Sequence, residues 1–160
     1  MWKNSVKMTS LTEHEMALAA LMPLIREQLA AGQNVRMTPY GISMLPMLHP
    51  GVDEVVLSPV PARLKKYDLP LYQRDDGKFI LHRIVAVGDT YTCCGDNQYA
   101  LERDVRHDQL IAVVTSFRRN GTVHQMDEGG YRLYCRFWCA SRPFRHLLHG
   151  VRRRLRRRPG

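Results

Sequence analysis

The stretch Tyr40-Gly41-Ile42-Ser43-Met44-Leu45-Pro46-Met47-Leu48 decides how this chain reads, taken together with Leu81-His82-Arg83-Ile84-Val85 and Cys94-Gly95-Asp96-Asn97 further along. The three segments supply a hydroxyl, an imidazole and a carboxylate, in that order. A serine hydroxyl is a poor nucleophile until a neighbouring base removes its proton, and a neutral imidazole with a pKa near ~6.5 suits that task at neutral pH. A carboxylate behind the ring would fix its tautomer and stabilise the imidazolium formed during attack. Ser43, His82 and Asp96 are therefore the candidate catalytic residues.

Working outward, residues 35–114 alternate short apolar runs with turn chemistry. The runs at 53–57, 69–72, 79–87 and 110–117 end respectively at Pro59 and Pro61, at Asp75-Asp76-Gly77, at Gly88-Asp89 and at Asn120-Gly121. Evenly spaced short strands of this kind predict a mainly β body, and Asp76-Gly77 and Asn120-Gly121 are good hairpin turns. Upstream, Thr12-Glu13-His14-Glu15 has the form of a capping box, and Met16, Leu18, Leu21, Ile25 and Leu29 follow at helical spacing. This predicts a helix over 12–31, closed by Gly32 and kinked before Pro23. After Gly129-Gly130 the chain turns aromatic and basic, predicting helices over 131–141 and 144–157 with a break at Pro143. The expected organisation is an N-terminal helical segment (1–33), a β body (34–128) and an aromatic, Arg-rich tail (129–160).

At 160 residues, with 44% hydrophobic and 24% charged content, the chain has the makings of one soluble domain with a real core. Its net charge of +9 is unevenly placed. Residues 142–160 hold eight arginines and no acid, so of the 24 Lys and Arg only 16 face the 15 acids in residues 1–141. Cys93, Cys94, Cys135 and Cys139 show no metal-ligand spacing and read as free structural thiols of a reducing compartment. No signal peptide is visible, and the longest apolar run, 16–25, falls well short of the ~20 residues that span a bilayer. The expected location is the cytoplasm, with the C-terminal tail able to hold the chain on the inner face of the membrane. No metal or other cofactor is expected.

The block Gly41-x-Ser43-Met44-x-Pro46, the Pro50-Gly51 turn, Tyr67-Asp68-Leu69-Pro70 where a Gly-Asp-apolar turn is usual, His82-Arg83 and Gly95-Asp96-Asn97 resemble the peptidase clan of type I signal peptidases and LexA-type self-cleaving repressors. The resemblance covers about residues 36–117. It implies a signal-peptidase-like β fold, a Ser43 nucleophile, and a histidine base at the position where bacterial members carry lysine and archaeal and endoplasmic-reticulum members carry histidine. Asp96 matches the acid of the Gly-Asp-Asn motif; Glu102 or Asp104 could fill a second acidic place beyond it. Met44 and Pro46 fall on the apolar companions of the serine, and Gly41, Ile42, Met44 and Pro46 are the expected substrate-binding residues. Many signal peptidases place a hydroxyl residue where Gly41 stands. Here the oxyanion would rest on backbone N–H groups, Ser43's own foremost, each worth ~3 kcal/mol in the transition state.

The implied function is a serine endopeptidase cutting an extended peptide or precursor protein bound beside the strand that leads into Gly41, with small side chains before the cut. The alternatives are a LexA-like self-processing regulator or an inactive peptide-binding module. No helix-turn-helix precedes the β body, and no Ala-Gly or Cys-Gly pair lies upstream of Ser43, which favours the enzyme. In the tail, Phe144, Leu147, Leu148, Val151 and Leu155 recur at helical intervals among arginines. Such a helix suits an anionic membrane surface better than nucleic acid, a solvated tail or an acidic protein partner being the other options. Tyr131, Tyr134, Phe137 and Trp138 could extend that surface or, more plainly, pack on the β body.

Overall fold

The computed structural model describes residues 3–147, and the side chains of residues 13–147. The fold is mainly β, with antiparallel sheets and two long helices. Helix α1 (Lys3–Ala30) is followed by β1 (Val35–Met37), β2 (Glu54–Ser58), β3 (Pro70–Gln73), β4 (Phe79–Leu81), β5 (Arg83–Val87), β6 (Tyr91–Cys94), β7 (Glu102–Val105), β8 (Leu110–Arg119), β9 (Thr122–Gln125) and α2 (Gly129–Ala140). One sheet runs β1-β2-β8-β3-β4, with β9 also paired to β8; the other runs β5-β6-β7.

Helix α1 begins nine residues before Thr12, so the capping-box residues lie inside it and do not start it. No Pro or Gly interrupts residues 3–11 to stop the helix there. It ends as expected at Gly32, whose φ of 75° reverses the chain while its N–H donates to the Leu29 carbonyl. Met22, Ile25 and Leu29 form the buried stripe of the helix. The Asn120-Gly121 hairpin joins β8 to β9 with both residues at positive φ, 49° and 81°, as a type I′ turn requires. Gly77, at φ 85°, turns β3 into β4.

The long apolar run 79–87 is not one strand. It breaks at His82, because β4 pairs with β3 while β5 pairs with β6 in the other sheet. His82 is therefore the residue at which the chain crosses between sheets. Strands β6 and β7, poor in alternating apolar residues, are formed by pairing rather than by local pattern. The turn at 67–70 crosses back beside this point: Tyr67 N–H donates to the Ile84 carbonyl and Ile84 N–H to the Asp68 carbonyl. Tyr67 holds a φ of 81° where a glycine would be unstrained.

Bulges in the β2–β8 and β3–β8 pairings bend the first sheet. One face packs Val55, Leu57, Leu71 and Val114 against α1, the Ser43 turn and α2; the other sets Tyr72, Leu110 and Val113 against Ile84, Tyr91 and Cys93 of the second sheet. Both expected appendages share the body's core, α1 through Met22 and Ile25, α2 through Tyr131 and Cys135. The break after α2 falls at Ser141, not Pro143. Residues 142–147 are helical again, and Pro143 sits in their first turn, where a missing N–H is harmless. The rest of the helix expected over 144–157, with Leu148, Val151 and Leu155, lies outside the described residues. Among the described residues, no helix is long and apolar enough to cross a membrane.

Candidate active site

The chain leaves β1 through Thr38-Pro39-Tyr40 and enters a tight turn over residues 42–48. Leu45 N–H donates to the Ile42 carbonyl and Leu48 N–H to the Met44 carbonyl, while Met44, Met47 and Leu48 plug the core beneath. Buried apolar side chains thus anchor the turn and leave Ser43 half-buried at its top. From the other side, Asn97 N–H donates to the Ser43 carbonyl at 2.8 Å, and Asn97 Nδ2 donates to the Ile42 carbonyl at 3.2 Å.

Gly95 brings Ser43 and His82 together. A Cβ placed on it would stand 3.1 Å from Ser43 Cβ, 3.1 Å from His82 Nε2 and 2.7 Å from the Ser43 carbonyl oxygen. Serine and imidazole therefore flank one point, kept empty because residue 95 has no side chain. Among the described contacts no hydrogen bond joins Ser43 Oγ to His82 Nε2; bonds of this kind commonly tighten only when substrate arrives.

Behind the ring stands Glu102, not Asp96. His82 Nδ1 lies 3.0 Å from Glu102 Oε1, the distance of an ion pair, although among the described residues no acceptor lies in line with the ring N–H. Glu102 is held in turn by Tyr72, whose hydroxyl donates to Oε2 at 2.8 Å, and by Arg74, whose Nε donates to Oε2 at 2.8 Å and whose Nη2 pairs with Oε1. Burial would raise the Glu102 pKa, but the Arg74 and Tyr72 hydrogen bonds outweigh it and hold the carboxyl below its ordinary range. Burial pushes the His82 pKa below 6.5, a shift that Glu102 opposes and Arg74 reinforces. The pair at neutral pH is a neutral imidazole beside a carboxylate, as a general base requires.

Asp96 has a different task. Its two oxygens take a forked pair of hydrogen bonds from Arg83, 2.8 Å from Nε and 2.7 Å from Nη2, and a third from the Tyr134 hydroxyl at 3.3 Å. Both Arg83 and Asp96 are buried. Of the three acids that could orient His82, Asp96, Glu102 and Asp104, it is Glu102 that stands at the ring, while the Asp96 side chain is spent on Arg83. Asp104 contacts Thr90 rather than the site. His49 and His107 lie elsewhere and pair with Asp53 and Tyr91.

Tyr134 and two further residues carried no sequence motif. Trp138 Nε1 donates to the Asp96 carbonyl at 2.9 Å, and Arg145 Nη1 donates to the same oxygen at 3.2 Å while its guanidinium stacks 3.7 Å above the Trp138 ring. Helix α2 and the turn after it therefore brace the Gly95–Asn97 turn that holds Ser43. Only the aromatic density of residues 131–138 hinted at this packing.

A cleft of about 760 Å³ opens onto Ser43 and His82. Its walls are β1 and β4, two edge strands of the bent sheet, with Leu18, Leu21 and Ile25 of α1 along one side. His14 meets Tyr40 edge-on, centroids 3.7 Å apart, and fixes α1 to the approach of the serine turn. Of the expected substrate-binding residues, Gly41 and Met44 line this cleft; Ile42 and Pro46 do not, and serve the turn through carbonyls bonded to Asn97 and Arg119. Cys94 bonds the Gln98 and Ala100 carbonyls, and burial raises its pKa and pushes the Cys93 thiol up to about 12, so neither is an activated thiolate. Among the described residues no cluster of His, Cys, Asp and Glu could hold a metal ion.

No family model, no curated protein and no solved structure matches this chain.

The two carboxylates should separate in experiment. Asp96→Asn breaks a buried pair and should cost about 3–5 kcal/mol of stability by denaturant unfolding; Glu102→Gln should leave the thermal midpoint within a few degrees yet slow acylation of Ser43 by a fluorophosphonate at least tenfold. The reverse pattern would return the orienting role to Asp96. Gly95→Ala puts a methyl between serine and imidazole. It should cost roughly 1–3 kcal/mol and cut Ser43 acylation by about a hundredfold.

Proposed function

We propose that this chain is a serine endopeptidase of the signal-peptidase type, in which Ser43 attacks and His82 takes its proton. The observation that carries the reading is the convergence of Ser43 Cβ and His82 Nε2 on the space above Gly95, with Glu102 at the far nitrogen of the ring. The resemblance of the Gly-x-Ser-Met-x-Pro, His-Arg and Gly-Asp-Asn segments agrees with that grouping and with a signal-peptidase-like β fold.

A peptide entering the cleft as an extended strand could bond the free edges of β1 and β4 at once, closing the bent sheet around itself. Its scissile carbonyl would then lie over Ser43. His82 Nε2 removes the hydroxyl proton as Oγ adds to the carbonyl carbon, and Glu102 stabilises the imidazolium. The oxyanion meets the Ser43 N–H, which has no partner among the described residues. Return of the proton from His82 to the departing amine completes acylation, and water reverses the steps to free the acid.

Self-processing is less well supported. Besides the walls themselves, the segment that runs along the cleft, Leu18, Leu21 and Ile25 of α1, is helical and not an extended strand that could be cut there.

Ser43→Ala and His82→Ala should each abolish cleavage of a peptide library with little change in thermal midpoint, since the two act as one unit. Full activity in Ser43→Ala would remove the peptidase reading. The pH profile adds an independent check. Because burial lowers the His82 pKa, the active neutral form persists below pH 6.5, so kcat/KM should fall on acidification with a midpoint under that value. Glu102→Gln removes the charge that opposes the shift and should move the midpoint lower still. A profile still rising above pH 9 would point to a lysine base.

A further inference from the structure

Helix α2 has two faces with different work. Tyr131, Tyr134, Cys135 and Trp138 turn inward to Arg83 and Asp96. The outward face carries Leu133 and Phe137, 56% and 69% exposed, between the exposed Arg132 and Arg136. Beyond Ser141 the same composition continues with Phe144 at 63% and Leu147 at 66%. Residues 129–160 contain ten arginines and no acid, six of those arginines in the thirteen residues that follow Leu147. Four large apolar side chains, each more than half exposed and interleaved with arginines, form a surface that water alone does not suit.

We infer that this face docks on an anionic lipid bilayer, with Leu133, Phe137, Phe144 and Leu147 entering the headgroup boundary and the arginines meeting lipid phosphates. Charge complementarity selects the lipid: each arginine near anionic headgroups strengthens binding about fivefold, and the apolar side chains gain a solvent that they lack in water. A nucleic acid would satisfy the arginines and leave the apolar side chains wet. The inner face of the same helix braces the Gly95–Asn97 turn, so docking fixes how the cleft is presented to the membrane. The inference stands apart from the peptidase reading, since binding is measured without substrate.

The test uses the full chain and vesicles of equimolar phosphatidylcholine and phosphatidylserine, with phosphatidylcholine alone as the neutral control. Sedimentation should show binding to the anionic vesicles only, lost in about 1 M salt, where the screening length falls to ~3 Å. Leu133→Ser with Phe137→Ser should weaken it about tenfold or more at unchanged thermal midpoint, because neither side chain is buried. Arg132→Glu with Arg136→Glu should weaken it as well. Native-like binding by both double variants, equal binding to neutral vesicles, no vesicle binding, or salt-sensitive binding to duplex DNA alone would each overturn the assignment.

Discussion

The buried Arg83–Asp96 pair is the constraint on which the rest of the molecule depends. A guanidinium and a carboxylate removed from water cost several kcal/mol each, and their attraction offsets this only when every remaining donor is satisfied. Arg83 meets that condition with partners from four segments: Asp96 in the turn after β6, the Tyr67 carbonyl, Met47 beneath the serine turn, and Tyr131 and Cys135 on α2. Neighbouring groups hold it charged against the pull of burial. None of these segments can shift alone without leaving a charge uncompensated, so one side chain ties the support of the Ser43 turn, the strand after His82 and helix α2 together.

The site divides electrostatic labour between two carboxylates. Asp96 is buried against a permanent cation and acts on a proton at His82 only as a weaker, indirect charge than Glu102. Glu102 sits at the partly open end of the site, where Tyr72 and Arg74 keep it ionised while one oxygen faces the imidazole. Burial keeps the ring neutral; the carboxylate limits the cost of its becoming charged. Placing a fixed pair beside a responsive pair lets a small β domain keep its core intact while a proton moves at its edge.

The chemistry-bearing residues were legible because their types and local settings are unusual: Ser43 between Gly41 and Pro46, His82 in an apolar run, an acid after Gly95. What each acid does was not, because Asp96 and Glu102 are separated by six residues, and only the pairing of β6 with β7 decides which one faces the ring. The hairpins at Gly77 and Asn120-Gly121 and the C-terminal boundary of α1 followed from residues that need positive φ. The division of residues 79–87 between two sheets did not, since a continuous apolar run has no mark for a change of partner. Arg145 was read with the arginine-rich tail, and Trp138 stayed open between that tail and the β body, because periodicity reports an apolar stripe but not the surface it meets.

His82, standing where the chain passes from one sheet to the other, has an evolutionary consequence. Strand faces alternate with every residue. One residue gained or lost between β4 and His82 would turn the imidazole to the opposite side, and the same change between His82 and β5 would send Arg83 out of the core. This short stretch is locked in length as well as in composition, whereas the loop of residues 59–66 joins strands whose pairing does not depend on its span. Divergence among chains that share this architecture should collect insertions in that loop and permit none across residues 79–87.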